Sequence, residues 1–335
     1  MILFRRIVLG LSLGGLMGMG GFLWLNQPMG GPIQSHLVDI PPGTPFTQVS
    51  NTLHQNHLID QEWFFTLLGR IQGVDRKIIP GEYELHAGMR PTEMLKKFVK
   101  GEIYHYALTI PEGYTVIQIA DILNQKNLAR KGDILRLARD QSFIRSLNLQ
   151  VSTLEGYLFP DTYQFSRYTP PESIIRTFVN RFHEVVTPTL QERATTMGMT
   201  LQEVLTLASV VEKETGLAAE RPLVSGVFHN RLQRGIPLQS DPTVIYALED
   251  FDGNIRKADL SVNSPYNTYK VRGLPPGPIA NPGLAAIHAA LYPTQTDFVY
   301  FVARNDGSHQ FSVTLADHNK AVDKYQRLSN GKHAS

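Results

Sequence analysis

No cysteine occurs in the 335 residues, which removes disulfides, thiolate nucleophiles and cysteine-ligated zinc or iron–sulfur centres. That absence suits a chain that folds outside the cytoplasm without disulfide control. An excess of one charge sign is also missing. The formal net charge is only +2, so no general field draws the chain to nucleic acid or to acidic surfaces. No H-E-x-x-H, Walker A or G-x-S-x-G pattern is present. His229, His288, His309 and His318 are too scattered for a metal cluster, so neither a metal nor a cofactor is expected.

One long hydrophobic run is present. Arg5 and Arg6 precede Ile7–Leu25, a stretch without a charge that ends on Trp24 and Leu25 before Asn26. As a helix it would be about 28 Å long, close to the ~30 Å hydrocarbon core of a bilayer. The run exceeds the usual h-region of a signal peptide, and no A-x-A cleavage site follows it. The reading is an uncleaved single-pass anchor, with the two arginines cytoplasmic and everything after Asn26 outside the inner membrane. Gly10, Gly14 and Gly18 give that helix one small-residue face.

Past the run, 42% hydrophobic and 19% charged residues are enough for about two globular units. Pro28, Gly30, Gly31 and Pro32 mark a linker over Gln27–Ser35. A repeat follows: Ile40–Leu58 aligns without gaps on Ile110–Leu128, at an offset of 70 residues. Each copy reads as a strand ending in Ile-Pro-x-Gly and then a helix, with Phe46, Val49 and Leu53 on the apolar face of the first and Val116, Ile119 and Leu123 on that of the second. Ile79–Leu85 reads as a strand, and Pro91–Val99 as a helix closed near Gly101. In Leu154–Phe165, Tyr157, Phe159, Tyr163 and Phe165 share one face of an extended chain. That face is either core or, as proposed here, a platform for sugar rings, which stack on flat apolar faces.

The stretch Ala208-Ser-Val-Val-Glu-Lys-Glu-Thr-Gly216 ends an apolar helix on two glutamates. The capping box Thr200-Leu-Gln-Glu203 starts that helix and Gly216 ends it. Leu201, Val204, Leu205, Leu207, Ala208, Val210 and Val211 cover more than half its circumference, so it lies inside the protein. Wheel geometry leaves either Glu212 or Glu214 able to be desolvated. Glu214, in the last turn, also meets the negative end of the helix dipole. Both effects raise a carboxyl pKa, as a general acid near neutral pH requires. Glu212, and likewise the pair Glu220–Arg221, read as structural salt bridges. Downstream, Asn230-Arg231, Leu238–Tyr246, Ser264–Tyr269, Gly273–Ile279 and Asn281–Gly283 form turn-rich segments dense in donors and acceptors, which suit a polyhydroxylated ligand.

Leu154-Glu-Gly-Tyr-Leu-Phe-Pro-Asp-Thr-Tyr163, Val211-Glu-Lys-Glu-Thr215, Phe228-His-Asn-Arg-Leu232, Leu238–Tyr246, Tyr266-Asn-Thr-Tyr269 and Gly273-Leu-Pro-Pro-Gly277 stand in an order and spacing that resemble the endolytic murein transglycosylases (the MltG, YceG-like family). The resemblance covers nearly the whole chain. It implies an α+β protein with an N-terminal single transmembrane helix, a small LysM-like module and a mixed α+β catalytic domain. The expected boundaries are 1–26 for tip and anchor, 27–37 for linker, 38–106 for the module and 107–330 for the catalytic domain. It implies a lyase that cuts the MurNAc–GlcNAc bond of nascent peptidoglycan at the inner membrane, leaves 1,6-anhydro-MurNAc ends and works beside penicillin-binding proteins. By that resemblance Glu214 is the catalytic acid. Glu155, Tyr157, Asn230, Gln239, Asp241, Tyr266, Asn267 and Thr268 are the candidate substrate contacts, with Glu155 and Asp241 the carboxylates available to orient substrate. The rival readings are a water-using muramidase and a glycan-binding scaffold without activity.

Overall fold

The computed structural model describes residues 15–30, 34–304 and 306–327. The chain divides into two compact units: Met1–Ala107 with Gln164–Thr169, and Leu108–Tyr163 with Pro170–Ser335.

In the first unit, β1 (His36–Ile40), α1 (Phe46–Gln55), α2 (Glu62–Ile71), β2 (Gly81–Leu85) and α3 (Pro91–Lys100) follow in order, and then β3 (Tyr106–Thr109) begins. β1 and β2 pair antiparallel, with Val38 opposite Tyr83, so their inward side chains meet one apolar cluster. Phe46, Val49 and Leu53 of α1 enter that cluster at helical spacing, and Phe65, Leu95 and Phe98 close it. α3 ends at Gly101 in the left-handed region (φ 66°), as the glycine predicts. Residues 164–169 belong to this unit through polar contacts: Arg167 pairs with Glu82 at 3.0 Å and the Tyr168 hydroxyl donates to Asp39.

The repeat survives folding in its details. α1 and α4 (Val116–Gln125) occupy matching positions 70 residues apart, and so do the positive-φ residues Gly43 and Gly113, and His57 and Asn127. The copies differ at the cap. Thr115 caps α4 through Gln118 N–H, whereas Pro45 at the same place offers α1 no side-chain cap.

The expected transmembrane helix over Ile7–Leu25 is corrected. Residues 7–14 lie outside the described residues, 15–25 are helical, and among the described residues no helix is long and apolar enough to cross a membrane. Eleven helical residues reach about 16 Å, roughly half a hydrocarbon core. The end of this helix is packed: Phe22 meets Phe64 edge to face, and the Asn26 side-chain amide exchanges hydrogen bonds with Thr92 in the first turn of α3. Among the described residues the fold class is mixed α+β without that element.

The second unit is mostly helical. After α4 come α5 (Lys131–Leu137), α6 (Gln141–Ser146), β4 (Thr162–Phe165), α7 (Pro171–Val185), α8 (Pro188–Thr196), α9 (Leu201–Glu214), α10 (Arg221–Gln233), α11 (Asp241–Ala247) and α12 (Leu284–Leu291). The hairpin β5 (Tyr300–Ala303) and β6 (His309–Ser312) and then α13 (Leu315–Val322) end it. α9 is the central element, with every residue from Val204 to Val211 buried and with α10, α11 and α12 packed around it. Its two buried hydroxyls are satisfied locally: Thr206 donates to Gln202 O and Ser209 to Thr206 O.

The aromatic face of Leu154–Phe165 is core. Tyr157, Phe159, Tyr163 and Phe165 are all buried. Tyr157 packs edge to face on Phe182 of α7, Tyr163 on Phe178, and the Tyr163 hydroxyl donates to Phe159 O at 2.5 Å. The sugar platform expected there is corrected, because α7 covers the rings that a sugar would need.

Candidate active site

α9 starts as the sequence predicts: Thr200 Oγ1 accepts from Glu203 N–H, and Glu203 Oε2 accepts from Thr200 N–H at 2.7 Å. Its other end differs from the expectation. Thr215 leaves the helix extended (φ −136°, ψ 128°), and Gly216 does not enter the left-handed region. The chain therefore departs straight from the last turn, with Glu212 and Glu214 in different surroundings.

Glu212 is paired. Its side chain is 5% exposed, and it accepts from Arg221 Nη2 at 2.6 Å and from Gly283 N–H at 2.9 Å. Burial raises its pKa, and the Gly283 N–H and the Arg221 charge act against that rise. Arg221 also reaches Glu112 at 3.4 Å. Glu220 does not pair with Arg221 but turns to His309, 2.7 Å away.

Glu214 has no counter-ion of this kind. Its one direct polar partner among the described residues is the Ser240 hydroxyl, which donates a short hydrogen bond to Oε1. Burial lifts its pKa to about 7; the Ser240 bond opposes the rise, the Asp241 charge adds to it and Arg231 opposes it more weakly. The carboxyl is therefore substantially protonated near neutral pH, with Oε2 left for another partner.

Ser240 shows how the site takes precedence over the helix. It is the N-cap of α11, where a serine hydroxyl ordinarily accepts from the first turn and contributes about 1 kcal/mol. Here the hydroxyl makes no cap bond and goes to Glu214 instead. The rest of Ser240 is fixed by two buried threonines. Thr268 Oγ1 accepts from Ser240 N–H at 3.0 Å, Thr243 donates to Ser240 O at 2.7 Å, and the two threonine hydroxyls lie 2.8 Å apart. Gln239 just before it is held with φ at 51°, its N–H bonded to Thr268 O. That strained backbone turns the loop toward the helix end.

Glu214 opens on a cavity of about 560 Å³. Arg231, Leu238, Gln239, Asp241 and Tyr269 line one part, and Phe301, Val302, Ala303, His309, His318, Val322 and Gln326 line the rest. Arg231 is rigid: Nε donates to Val299 O, Nη1 to Pro237 O and Leu238 O, and its guanidinium lies over the Tyr300 ring. Asp241 accepts from the Tyr269 hydroxyl at 2.6 Å.

Of the residues singled out in the sequence, Glu214, Gln239 and Asp241 meet on this cavity, and Thr268 stands behind Ser240. The others serve elsewhere. Glu155 is buried, takes Val116 N–H, the Asn281 amide and the Tyr246 hydroxyl, and is pushed up to about 7 by burial. Asn230 holds Thr296 O and Phe298 O, and Asn267 holds Leu260 O and Val262 O. Tyr266 is half-buried against the Tyr246 ring at 4.9 Å, and Tyr157 is in the core. Sequence reasoning did not single out Ser240, Tyr269 or the wall residues Phe301, Val302, Ala303, Val322 and Gln326, and it set His309 and His318 aside as scattered. Ser240 sat in a quoted motif, but nothing in the spacing told its hydroxyl from its neighbours.

The sequence matches the YceG-like family model over residues 38–324. It is 34% identical over 311 residues to an endolytic murein transglycosylase of Bacillus subtilis (strain 168), covering 88% of this chain and 86% of that one. It is 33% identical over 321 residues to an endolytic murein transglycosylase of Streptococcus pneumoniae serotype 2, covering 86% of this chain and 58% of that relative's length. A crystal structure of a YceG-like protein from Listeria monocytogenes superposes with a TM-score of 0.61 at 35% identity, covering 85% of this chain and 98% of that one. On these matches the chain belongs to the YceG-like family.

Proposed function

We propose that the chain is an endolytic lytic transglycosylase that cuts the bond after N-acetylmuramic acid in peptidoglycan, with Glu214 as its acid and base. The observation that carries this reading is the state of Glu214: partly buried, without an ion-pair partner among the described residues, raised to about 7, and facing a cavity large enough for sugar rings. Relatives that bear the activity in their names add to it.

Protonated Glu214 gives its proton to the glycosidic oxygen as the bond to C1 breaks. The carboxylate that remains accepts the proton of the muramoyl 6-hydroxyl as that oxygen closes on C1. The ring closure yields a 1,6-anhydro end and restores the acid, so no water is consumed. One carboxyl serves both steps, and Ser240 keeps its orientation through the exchange. Glycosidases that use water instead need two carboxyl groups, about 5–9.5 Å apart. Asp241 lines the same cavity, but its carboxylate is engaged by the Tyr269 hydroxyl.

An anhydro end has its C1 tied within the sugar and cannot be elongated at that carbon. Cutting nascent strands would therefore end their growth, and the enzyme would act outside the cytoplasmic membrane beside the synthases that make them. Residues 38–106 would hold the strand. Mass analysis of fragments released from purified peptidoglycan tests the reaction: anhydro ends are lighter by one water than the products of hydrolysis. Fragments of full hydrated mass would make the enzyme a muramidase, and no fragments at all would make it a scaffold.

A further inference from the structure

Glu155 is 3% exposed, has no counter-ion among the described residues and does not line the cavity. A carboxyl in such a place is costly unless its oxygens are hydrogen-bonded. Oε1 accepts from Val116 N–H at 3.0 Å and from the Asn281 amide at 3.1 Å, and the Tyr246 hydroxyl reaches Oε2 at 3.3 Å. That hydroxyl can donate to the carboxylate or accept from the carboxylic acid, so the network closes in either protonation state. Glu155 thereby joins three segments far apart in sequence: the first turn of α4, residues 279–283 and α11.

Two of those segments support Glu214. Residues 279–283 are fixed to α9 at two points: Ile279 N–H donates to Ser209 Oγ at 3.0 Å, and Gly283 N–H to Glu212 Oε2 at 2.9 Å. Asn281, midway between those points, is fully buried. Its Oδ1 accepts from Leu158 N–H, and its Nδ2 and backbone N–H both donate to Tyr114 O. α11 carries the hydroxyl partner of Glu214. Ser240 is its N-cap, and Thr243 and Thr268 hold that end. Tyr246 holds the other end, with its ring against Tyr266, two residues before Thr268. The helix that bears the acid and the short helix that bears its partner are both tied to one carboxyl.

We propose that Glu155 is a positioning residue for glycan cleavage: it holds residues 279–283 and α11 in the register that sets the Ser240 hydroxyl on Glu214. The proposal rests on the transglycosylase reading, and Glu155 itself touches no substrate. Besides burial, the groups that shift the Glu214 pKa are Ser240, Asp241 and Arg231; neither Glu155 nor Tyr246 is among them. A change at Tyr246 that moves the Glu214 titration therefore has to travel through α11. Of the two groups at the start of that helix, Ser240 has the larger effect and lowers the pKa, so loosening its bond raises it.

The test uses the full chain and Tyr246→Phe, which removes one hydroxyl and keeps the ring against Tyr266. The kcat for release of anhydro ends should fall about fivefold, the worth of one hydrogen bond, with KM unchanged. The alkaline limb of the pH profile should move up, and so should the Glu214 titration, followed by carbon NMR of labelled glutamate. In a Ser240→Ala background the same change should cost under about twofold, because the route to Glu214 is already cut. Glu155→Met, which cuts both arms, should lower kcat further at constant KM. Losses that add fully to that of Ser240→Ala, a rise in KM alone, or a Glu214 titration that stays in place overturn the proposal. Should Glu155→Met fail to fold, the Tyr246→Phe results decide it. Wild type that releases no anhydro ends would sink the transglycosylase reading, and the NMR titration would still decide the positioning.

Discussion

Glu212 and Glu214 stand two residues apart on one helix turn and meet opposite fates. Glu212 has a guanidinium and a backbone N–H, and it ties α9 to α10 and to the start of α12. Glu214 has a single hydroxyl and a cavity. Both are raised by burial, so desolvation alone does not select the acid. The counter-charge does. A carboxyl tied to a counter-charge and a backbone N–H is structural, while an unpaired one facing a cavity can take up a proton and give it away. Changes on the Glu212 side should therefore cost stability, and changes on the Glu214 side should cost turnover.

The largest effect is expected at Glu214. Glu214→Gln keeps the shape and removes the acid, so release of glycan fragments should fall by about 10²–10⁴-fold, while Glu212→Gln keeps most of the activity. Stability should move the other way. A carboxyl near 7 in the fold, against ~4.3 unfolded, binds its proton more tightly when folded, so its penalty is absent below about pH 4 and complete above about pH 7. Thermal melts should accordingly show Glu214→Gln matching wild type in acid and exceeding it at pH 8.

Arg221→Met leaves Glu212 buried without its counter-charge, for which about 3–5 kcal/mol of destabilisation is expected in denaturant titrations. The loss should shrink in acid, where Glu212 takes up a proton. A variant that instead lowers turnover at unchanged stability would break the division of labour. Tyr157→Ala should likewise cost about 3–5 kcal/mol, because its ring fills core against Phe182, and the folded fraction should keep its specific activity. The smallest effect belongs to Ser240→Ala. Its hydroxyl caps nothing but is the direct partner of Glu214, so stability should fall by only about 1 kcal/mol, while activity drops about tenfold and the alkaline limb of the pH profile moves up as the bond that lowers the Glu214 pKa is lost.

Periodicity made α9 legible, and so did Thr200 and Glu203, because a capping box and an apolar run are local signals. The repeat was legible down to its helices for the same reason. The aromatic face of Leu154–Phe165 was visible as a face, but alternation says nothing of what covers it, and α7 does. Glu155 was singled out as a carboxylate, yet its partners Val116, Asn281 and Tyr246 lie 39, 126 and 91 residues away. Ser240 gains its meaning from Glu214, a contact that no spacing encodes. The apolar N-terminal run had the length of a span in sequence; the helix described at 15–25 ends instead on packed side chains.

The central claim is that one unpaired carboxyl, held protonated by burial, carries the chemistry. The pH dependence of kcat/KM for wild type and Glu212→Gln tests it most directly. The account predicts activity that falls about tenfold per pH unit above a single pKa of about 7, with the same limb in both proteins. A limb in the ordinary carboxylate range near ~4.3, or one that moves when Glu212 is replaced, would contradict it.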